Sequence, residues 1–312
     1  MITDTLRKRL LEKDDPFTDI LGQEQAKQAV KSSLLAGRHI IIIGPPGIGK
    51  TTLAKNISHL LGKGAPFIRI QGSPDLSVED LLGDIDPVKA LKFGPTSTEA
   101  FTKGKIFKAD KGVLFFDELN RCAEKLQNAL LQVLEEGAAT IGSYDVDFGI
   151  DFLFIATMNP EDSSTEKLSD VLLDRFDLIY MGYPESLDIE KRIVREKGEK
   201  LCNVPEKMLT LMAYFIRMLR QSDKLEKKPS IRATLGLYER SQANALLEKR
   251  TDVAFGDIKA VLLSVLAHRI RLKPSSRYLI SPSEFVAQEF ERHVQEAQWE
   301  EGESPEEPGG RF

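Results

Sequence analysis

The sequence predicts an α/β core with a parallel sheet, followed by a small all-helical domain. Three observations carry that prediction. Between residues 39 and 181, short apolar runs alternate with helical patterns, as in chained βαβ units. The apolar run His39-Ile40-Ile41-Ile42-Ile43 leads through Gly44-Pro45-Pro46-Gly47-Ile48-Gly49-Lys50-Thr51 into a helical pattern at 52–61. Strand, glycine-rich turn and helix, with the spacing G-x-x-x-x-G-K-T, make a phosphate-binding loop. From Ser186 on, strand signals stop. At 312 residues, one large and one smaller domain is the natural expectation.

Residues 3–13 read as a short amphipathic helix stopped by Asp14-Asp15-Pro16. A second helix spans about 23–36, with Ala26, Val30 and Leu34 on one face and Gly37 as its C-cap. After the loop helix, Phe67-Ile68-Arg69-Ile70 is the second strand. The stretch 71–111, with Pro74, Pro87, Pro95 and a short apolar helical piece at 76–82, is too long for a mere connection and reads as an insertion that is either functional or disordered. Val113-Leu114-Phe115-Phe116 is a buried strand closed by Asp117-Glu118, at the edge where open α/β sheets hold ligands.

The helix 124–136 carries Leu126, Leu130, Val133 and Leu134 on one face. Alternation over 139–148 around Gly142-Ser143 predicts a hairpin. A fourth strand at 152–156 runs into Thr157-Met158-Asn159-Pro160. A short helix at 168–173 ends in Asp174-Arg175-Phe176, and a fifth strand covers 178–181 before the boundary Gly182-Tyr183-Pro184. Helical patterns then cover 186–201, 205–221, 231–249 and 257–271, split by Pro205, Pro229 and Gly256. The expected division is a core at 1–184, a helical domain at 185–295 and a disordered acidic tail at 296–312.

Hydrophobic residues at 41% and charged residues at 29% describe an ordinary globular composition. The formal charge of -5 carries no nucleic-acid or membrane footprint. Cys122, Cys202 and four scattered histidines offer neither a metal-ligand spacing nor a disulfide framework. No apolar run approaches a membrane span, and the N-terminus is too charged for a signal peptide, so a cytoplasmic setting is expected.

The chemistry follows from the loop. A triphosphate carries dense negative charge, so backbone N–H groups must wrap it closely, and glycines permit that approach. The helix N-terminus adds partial positive charge. Lys50 supplies a full cation for the β- and γ-phosphates, and the Thr51 hydroxyl can ligate Mg²⁺. Asp117 can hold that metal opposite Thr51, while Glu118 can polarise the attacking water; otherwise the pair are surface acids capping the next helix. Asn159 can position the water or contact the γ-phosphate, or simply make an Asn-Pro turn.

The residues 44–51, 113–118, 157–160 and Leu172-Leu173-Asp174-Arg175-Phe176 stand in the order of the AAA+ ATPases. The chain resembles the branch of MoxR-type ATPases and the ATPase subunit of magnesium chelatase, over roughly 17–273. That resemblance implies a three-layer P-loop NTPase core and a small all-α lid. It makes 44–51 the Walker A motif, with Thr52 just beyond it, and Phe116-Asp117-Glu118 the Walker B motif. Asn159 would be sensor 1, Arg175 the arginine finger and Arg232 sensor 2; Gly22-Gln23 would lie near adenine. Residues 84–108 resemble the branch's insertion and 139–148 its hairpin before sensor 1. Arg175 would act on a neighbouring subunit's nucleotide, a role worth about 10³–10⁵ in rate; alternatively it bonds to Asp174 or Asp177 on the surface.

The resemblance implies Mg²⁺-dependent ATP hydrolysis in a homo-oligomer, a hexameric ring. The work done would be remodelling or maturation of a partner complex, with a protein containing a von Willebrand factor A domain as the expected partner. A chelatase motor subunit is the alternative. A DNA-translocating motor is a third reading: His268, Arg269, Arg271, Lys273 and Arg277 cluster, but the hairpin holds Asp145 and Asp147 and no Lys or Arg, a poor phosphate-contacting surface. Nucleic acid is therefore not the expected partner.

Overall fold

The computed structural model describes residues 2–12, 15–62, 64–94, 97–136, 138–141, 144–147, 149–160 and 168–296. The expected tail from 297 on, the Gly142-Ser143 turn and the polar segment 161–167 lie outside them. Two compact units divide the chain: one holds the residues up to Pro45 with Gly49–Gly182, the other Pro46–Ile48 with the residues from Tyr183 on.

The first unit reads α1 (Ile2–Glu12), α2 (Glu24–Leu35), β1 (His39–Ile43), α3 (Lys50–Leu61) and β2 (Phe67–Gln71). Then come α4 (Val78–Leu82), β3 (Gly83–Ile85), α5 (Pro87–Phe93) and β4 (Phe101–Lys103). It continues with β5 (Val113–Asp117), α6 (Glu124–Glu136), β6 (Ala138–Ile141), β7 (Tyr144–Asp147), β8 (Leu153–Met158), α7 (Asp170–Leu173) and β9 (Phe176–Tyr180). Five of these strands form one parallel sheet in the order β2-β5-β8-β1-β9.

The order explains the composition. Strands covered on both faces must be apolar throughout, and the inner strands β5, β8 and β1 are: Phe115, Phe116, Phe154 and Ile40 to Ile42 are fully buried. The edge strands have one open side. Accordingly β2 exposes Arg69 and Gln71, and β9 exposes Tyr180. Register then sets the site: Ile43 stands level with Met158, Phe116 with Ala156, and Gln71 with Asp117. The carboxyl ends of β1, β5 and β8 therefore share one edge. From β1 the chain travels toward β2 on one side, and from β8 to β9 on the other, so the switch in strand order falls between β1 and β8. Such a switch opens a crevice for ligands.

Two local differences from the sequence patterns matter. β8 runs two residues beyond 156 because Thr157 and Met158 still pair with Ile42 and Ile43. The stretch after β2 is more ordered than its prolines suggest. Ser77 and Asp80 form a capping box on α4, β3 pairs antiparallel with β4, and Asp86 caps α5. In α5, Val88, Leu91 and Phe93 are exposed. β6 and β7 pair as an antiparallel hairpin, from Ala138 with Asp147 to Ile141 with Tyr144.

The second unit comprises α8 (Leu187–Lys197), α9 (Glu206–Gln221), β10 (Leu225–Lys227), α10 (Ile231–Leu247), α11 (Phe255–Leu266), β11 (Arg271–Leu272), α12 (Pro274–Arg277) and α13 (Pro282–Glu296). Its helices enclose a core that includes Phe215, Leu237, Ile258, Leu262, Phe285 and Phe290. The two-residue ladder of β10 with β11 and the helix α13 add to the helical patterns read from the sequence. Within this core lies a buried ion pair. Arg220 grips Glu190 through two bonds, 2.6 and 2.9 Å, and donates from Nε to the Pro229 carbonyl at 2.8 Å. The Thr234 hydroxyl completes Glu190 at 2.6 Å. Burying charge is tolerated where the pairing geometry is good and the remaining polar atoms are satisfied. The result fixes the backbone just before α10, where Arg232 sits.

Candidate functional site

The loop between β1 and α3 is shaped by glycine. Gly44, Gly47 and Gly49 have φ of 158°, 78° and 102°, the last two in the region that side-chain-bearing residues avoid. Gly49 caps α3, so Lys50, Thr51 and Thr52 form its first turn, where backbone N–H groups lack helical acceptors. Pro45, Pro46 and Ile48 complete the loop, half-buried. The Gly44 amide donates to the Met158 carbonyl at 3.2 Å, anchoring the loop to the end of β8. Lys50 folds back over the loop: Nζ donates to the carbonyls of Gly44 at 2.5 Å and Pro45 at 2.9 Å.

Asp117 is the last residue of β5, and Glu118 follows it in a left-handed conformation, φ 59° and ψ 54°. For a side chain other than glycine this costs about 1–2 kcal/mol and persists only when its surroundings impose it. Those surroundings are visible. The Glu118 amide donates to the Thr157 hydroxyl at 2.9 Å, its carbonyl accepts from Arg121 at 3.0 Å, and the Asp117 carbonyl accepts from Gly72 at 2.7 Å. Gly72 must be glycine, since a Cβ there would stand 2.0 Å from the Glu118 carbonyl oxygen.

Thr157 is the hinge of the arrangement. Fully buried, its hydroxyl donates to Asp117 Oδ1 at 2.7 Å while accepting from the Glu118 amide. One oxygen thus sets the position of both acids. Gln71 Nε2 donates to Glu118 Oε2 at 3.0 Å, and Arg121 pairs with the same oxygen at 3.2 Å. Asn159 is half-buried just past β8. Its carbonyl accepts from buried Asn120 at 3.3 Å, which ties the turn after Glu118 to the end of β8. Among the described residues the Asn120 Oδ1 has no partner.

Gln23 and Arg175 fall elsewhere, whereas Arg232 stands against the loop, its Cγ 3.2 Å from where a Cβ at Gly47 would lie. Gln23, left-handed at the start of α2, exchanges two bonds with the Gly182 backbone, 3.0 and 3.2 Å, so it secures the end of β9 to α2. Arg175 donates to the Val171 carbonyl at 3.0 Å and pairs with Glu135 and, at 3.7 Å, with Asp174. Of its two expected surface partners Asp174 is present, whereas Asp177 pairs with Arg38 at 3.4 Å. Arg232 is exposed in the first turn of α10.

The structure therefore gathers the loop, Asp117, Glu118 and Asn159 along one sheet edge. Sequence reasoning missed Thr157, Gln71, Gly72 and Asn120 as parts of the site. Thr157 lay inside a stretch already singled out and Asn120 two residues past another, but nothing in their spacing marks which polar atom faces which acid.

Comparison with known proteins agrees with this fold. Residues 39–176 match the family profile of the AAA domain (dynein-related subfamily), and 218–289 that of the AAA lid domain. The chain is 28% identical over 291 residues to the chaperone MoxR1 of Mycobacterium tuberculosis, covering 81% of this chain and 73% of that protein. It is 27% identical over 313 residues to the magnesium-chelatase subunit ChlI of Olisthodiscus luteus, covering 83% and 91%. Among solved structures, the RuvB Holliday junction branch migration motor of Thermotoga maritima shares the fold, with a TM-score of 0.51 and 18% identity over 79% of this chain and 70% of that one.

Proposed function

This chain belongs to the AAA ATPases, an AAA domain followed by an AAA lid, and on that premise we propose that it hydrolyses ATP with Mg²⁺ at interfaces between its own copies. The turnover would drive remodelling or maturation of a partner protein complex. The observation that carries the proposal is the Thr157 hydroxyl, which aligns Asp117 and Glu118 on the sheet edge where the glycine loop ends.

The residues suit the ligand. Positive φ at Gly47 and Gly49 turns the loop sharply, and the first turn of α3 presents its N–H groups toward phosphate oxygens. Thr51 and Asp117 are a hard, all-oxygen pair, appropriate to Mg²⁺ held jointly with phosphate. A bound Mg²⁺ would neutralise charge on the phosphate oxygens. Among the described residues no His, Cys, Asp and Glu cluster could hold a metal without such help.

Lys50 would leave its loop carbonyls for the β- and γ-phosphates. Glu118 would take the proton of the attacking water, and Asn159 would orient that water. Arg175 would turn from Glu135 and Asp174 toward a neighbouring copy's phosphate, with Arg232 contributing from the lid. A homo-hexameric ring, and a partner with a von Willebrand factor A domain, accord with the MoxR likeness; a motor subunit of a metal-inserting chelatase accords with the ChlI likeness, which spans 91% of that protein. No described helix is long and apolar enough to cross a membrane.

The test is Glu118→Gln. It should bind ATP as the natural protein does and lose turnover by about 10²-fold or more, and in ATP it should retain the partner for identification. Normal turnover by Glu118→Gln would remove the assigned base. Absence of any nucleotide affinity in the natural protein would remove the whole proposal.

A further inference from the structure

Asp117 has two oxygens, and the structure engages both. Oδ1 accepts from Thr157. Oδ2 accepts from Nη2 of Arg69 at 2.5 Å. Register produces this second pairing. Gln71 stands level with Asp117, and Arg69 lies two residues earlier on the same strand, so both side chains leave the same face of β2 beside the acid. The guanidinium also reaches Gln71 Oε1 at 3.4 Å. The pair is asymmetric: the Asp117 side chain is 15% exposed, that of Arg69 52%.

That asymmetry has a chemical consequence. If Asp117 is the metal carboxylate, as proposed above, a divalent cation or its bound water needs the oxygen that Arg69 holds. A guanidinium and a metal on one carboxylate oxygen would stand within a few ångströms, where like charges repel strongly under partial burial. Asp117 cannot retreat, because Thr157 and the strand ladder hold it. Arg69 can, because β2 is an edge strand and half of its side chain already meets water.

We propose that Arg69 is a resident counter-cation for Asp117, one that divalent metal must displace in order to bind. The pairing satisfies a mostly buried carboxylate until metal arrives, and it sets the metal concentration at which the site loads. Among the described residues the Arg69 guanidinium bonds to Asp117 and Gln71 and to no atom of the loop, so its effect falls on metal and not on the nucleotide itself.

Binding measurements separate these effects. Mn²⁺ is the probe, titrated into a one-to-one mixture of the full chain with ADP and read by the paramagnetic resonance of free Mn²⁺, with ADP alone as control. ADP affinity in excess EDTA is measured alongside. Arg69→Gln removes the charge at a half-exposed position and should tighten Mn²⁺ about three- to tenfold, the scale of a partly exposed ion pair. Its ADP affinity in EDTA should stay within about twofold of the natural protein. Arg69→Lys keeps the charge, and its Mn²⁺ affinity should lie between those two. Unchanged or weaker Mn²⁺ binding in Arg69→Gln would overturn the proposal, and so would an equal change of ADP affinity in EDTA. If the natural protein bound no ADP under either condition, the nucleotide reading itself would fail, which the first titration reveals.

Discussion

Replacing Thr157 with valine removes one oxygen and almost nothing else. Valine keeps the branched Cβ and the volume, so the packing of β8 between β5 and β1 survives, and the substitution isolates the hydroxyl. Two bonds are lost. The one to the Asp117 carboxylate, 2.7 Å long, is charge-assisted and worth about 1.5–3 kcal/mol. The Glu118 amide loses its acceptor, a penalty of about 1–3 kcal/mol when buried. Glu118 is half-exposed and can recruit water, so the net loss should lie near about 2–4 kcal/mol. The left-handed backbone at Glu118 then has less to hold it, and the carboxylate proposed as the base moves. A misalignment of about 1.4 kcal/mol already gives tenfold, so turnover at saturating Mg-ATP should fall at least about tenfold. Hydrogen exchange over 113–121, followed by mass spectrometry, should show faster exchange in Thr157→Val. Thr157→Ser, which keeps the oxygen, should retain most of both properties. A Thr157→Val protein with normal turnover and normal exchange, or a serine variant as impaired as the valine one, would refute the role given to the hydroxyl.

Three further outcomes follow from named contacts. Gly72→Ala places a methyl group where the Glu118 carbonyl stands, 2.0 Å away, so it should reduce turnover more than Gly64→Ala, whose Cβ would meet nothing within 4 Å; equal turnover of the two would contradict this. Arg175→Ala mixed with Glu118→Gln should recover activity that neither shows alone, since a site on an Arg175→Ala copy that faces the arginine of a Glu118→Gln copy combines an intact base with an intact arginine; a mixture no better than its parts would exclude action across the interface. His39 titrates in a predictable direction. Burial, and then Arg38, push its pKa down to about 4, and its Nδ1 accepts from the Phe154 amide at 3.1 Å, which requires that nitrogen unprotonated. A base whose folded pKa is depressed leaves stability intact above its unfolded pKa of about 6.5, and stability falls as pH drops from there toward about 4. The full effect is about 3 kcal/mol. Denaturant midpoints between pH 7 and 4 should therefore decline less in His39→Phe than in the natural protein, and parallel declines would refute the assignment.

Periodicity and local chemistry already encode part of this fold. The all-apolar runs at 40–43 and 113–116 require inner strands, and G-x-x-x-x-G-K-T between strand and helix requires a turn open to anions. Both are short-range properties, and Gly47, Gly49, Asp117 and Glu118 are legible from them. Helix ends moved by a few residues; the β10–β11 ladder went unread because its strands are distant in the chain, and α13 went unread although Ser281 and Glu284 mark its start locally. The tertiary structure alone decided which polar atoms meet. Thr157 reaches Asp117 across 40 residues, and Arg69 reaches it across 48. Those meetings depend on strand order and register, which arise from how the whole sheet packs. No local pattern records them, because the residues that place Asp117 beside Thr157 and Arg69 are the buried ones elsewhere in the sheet.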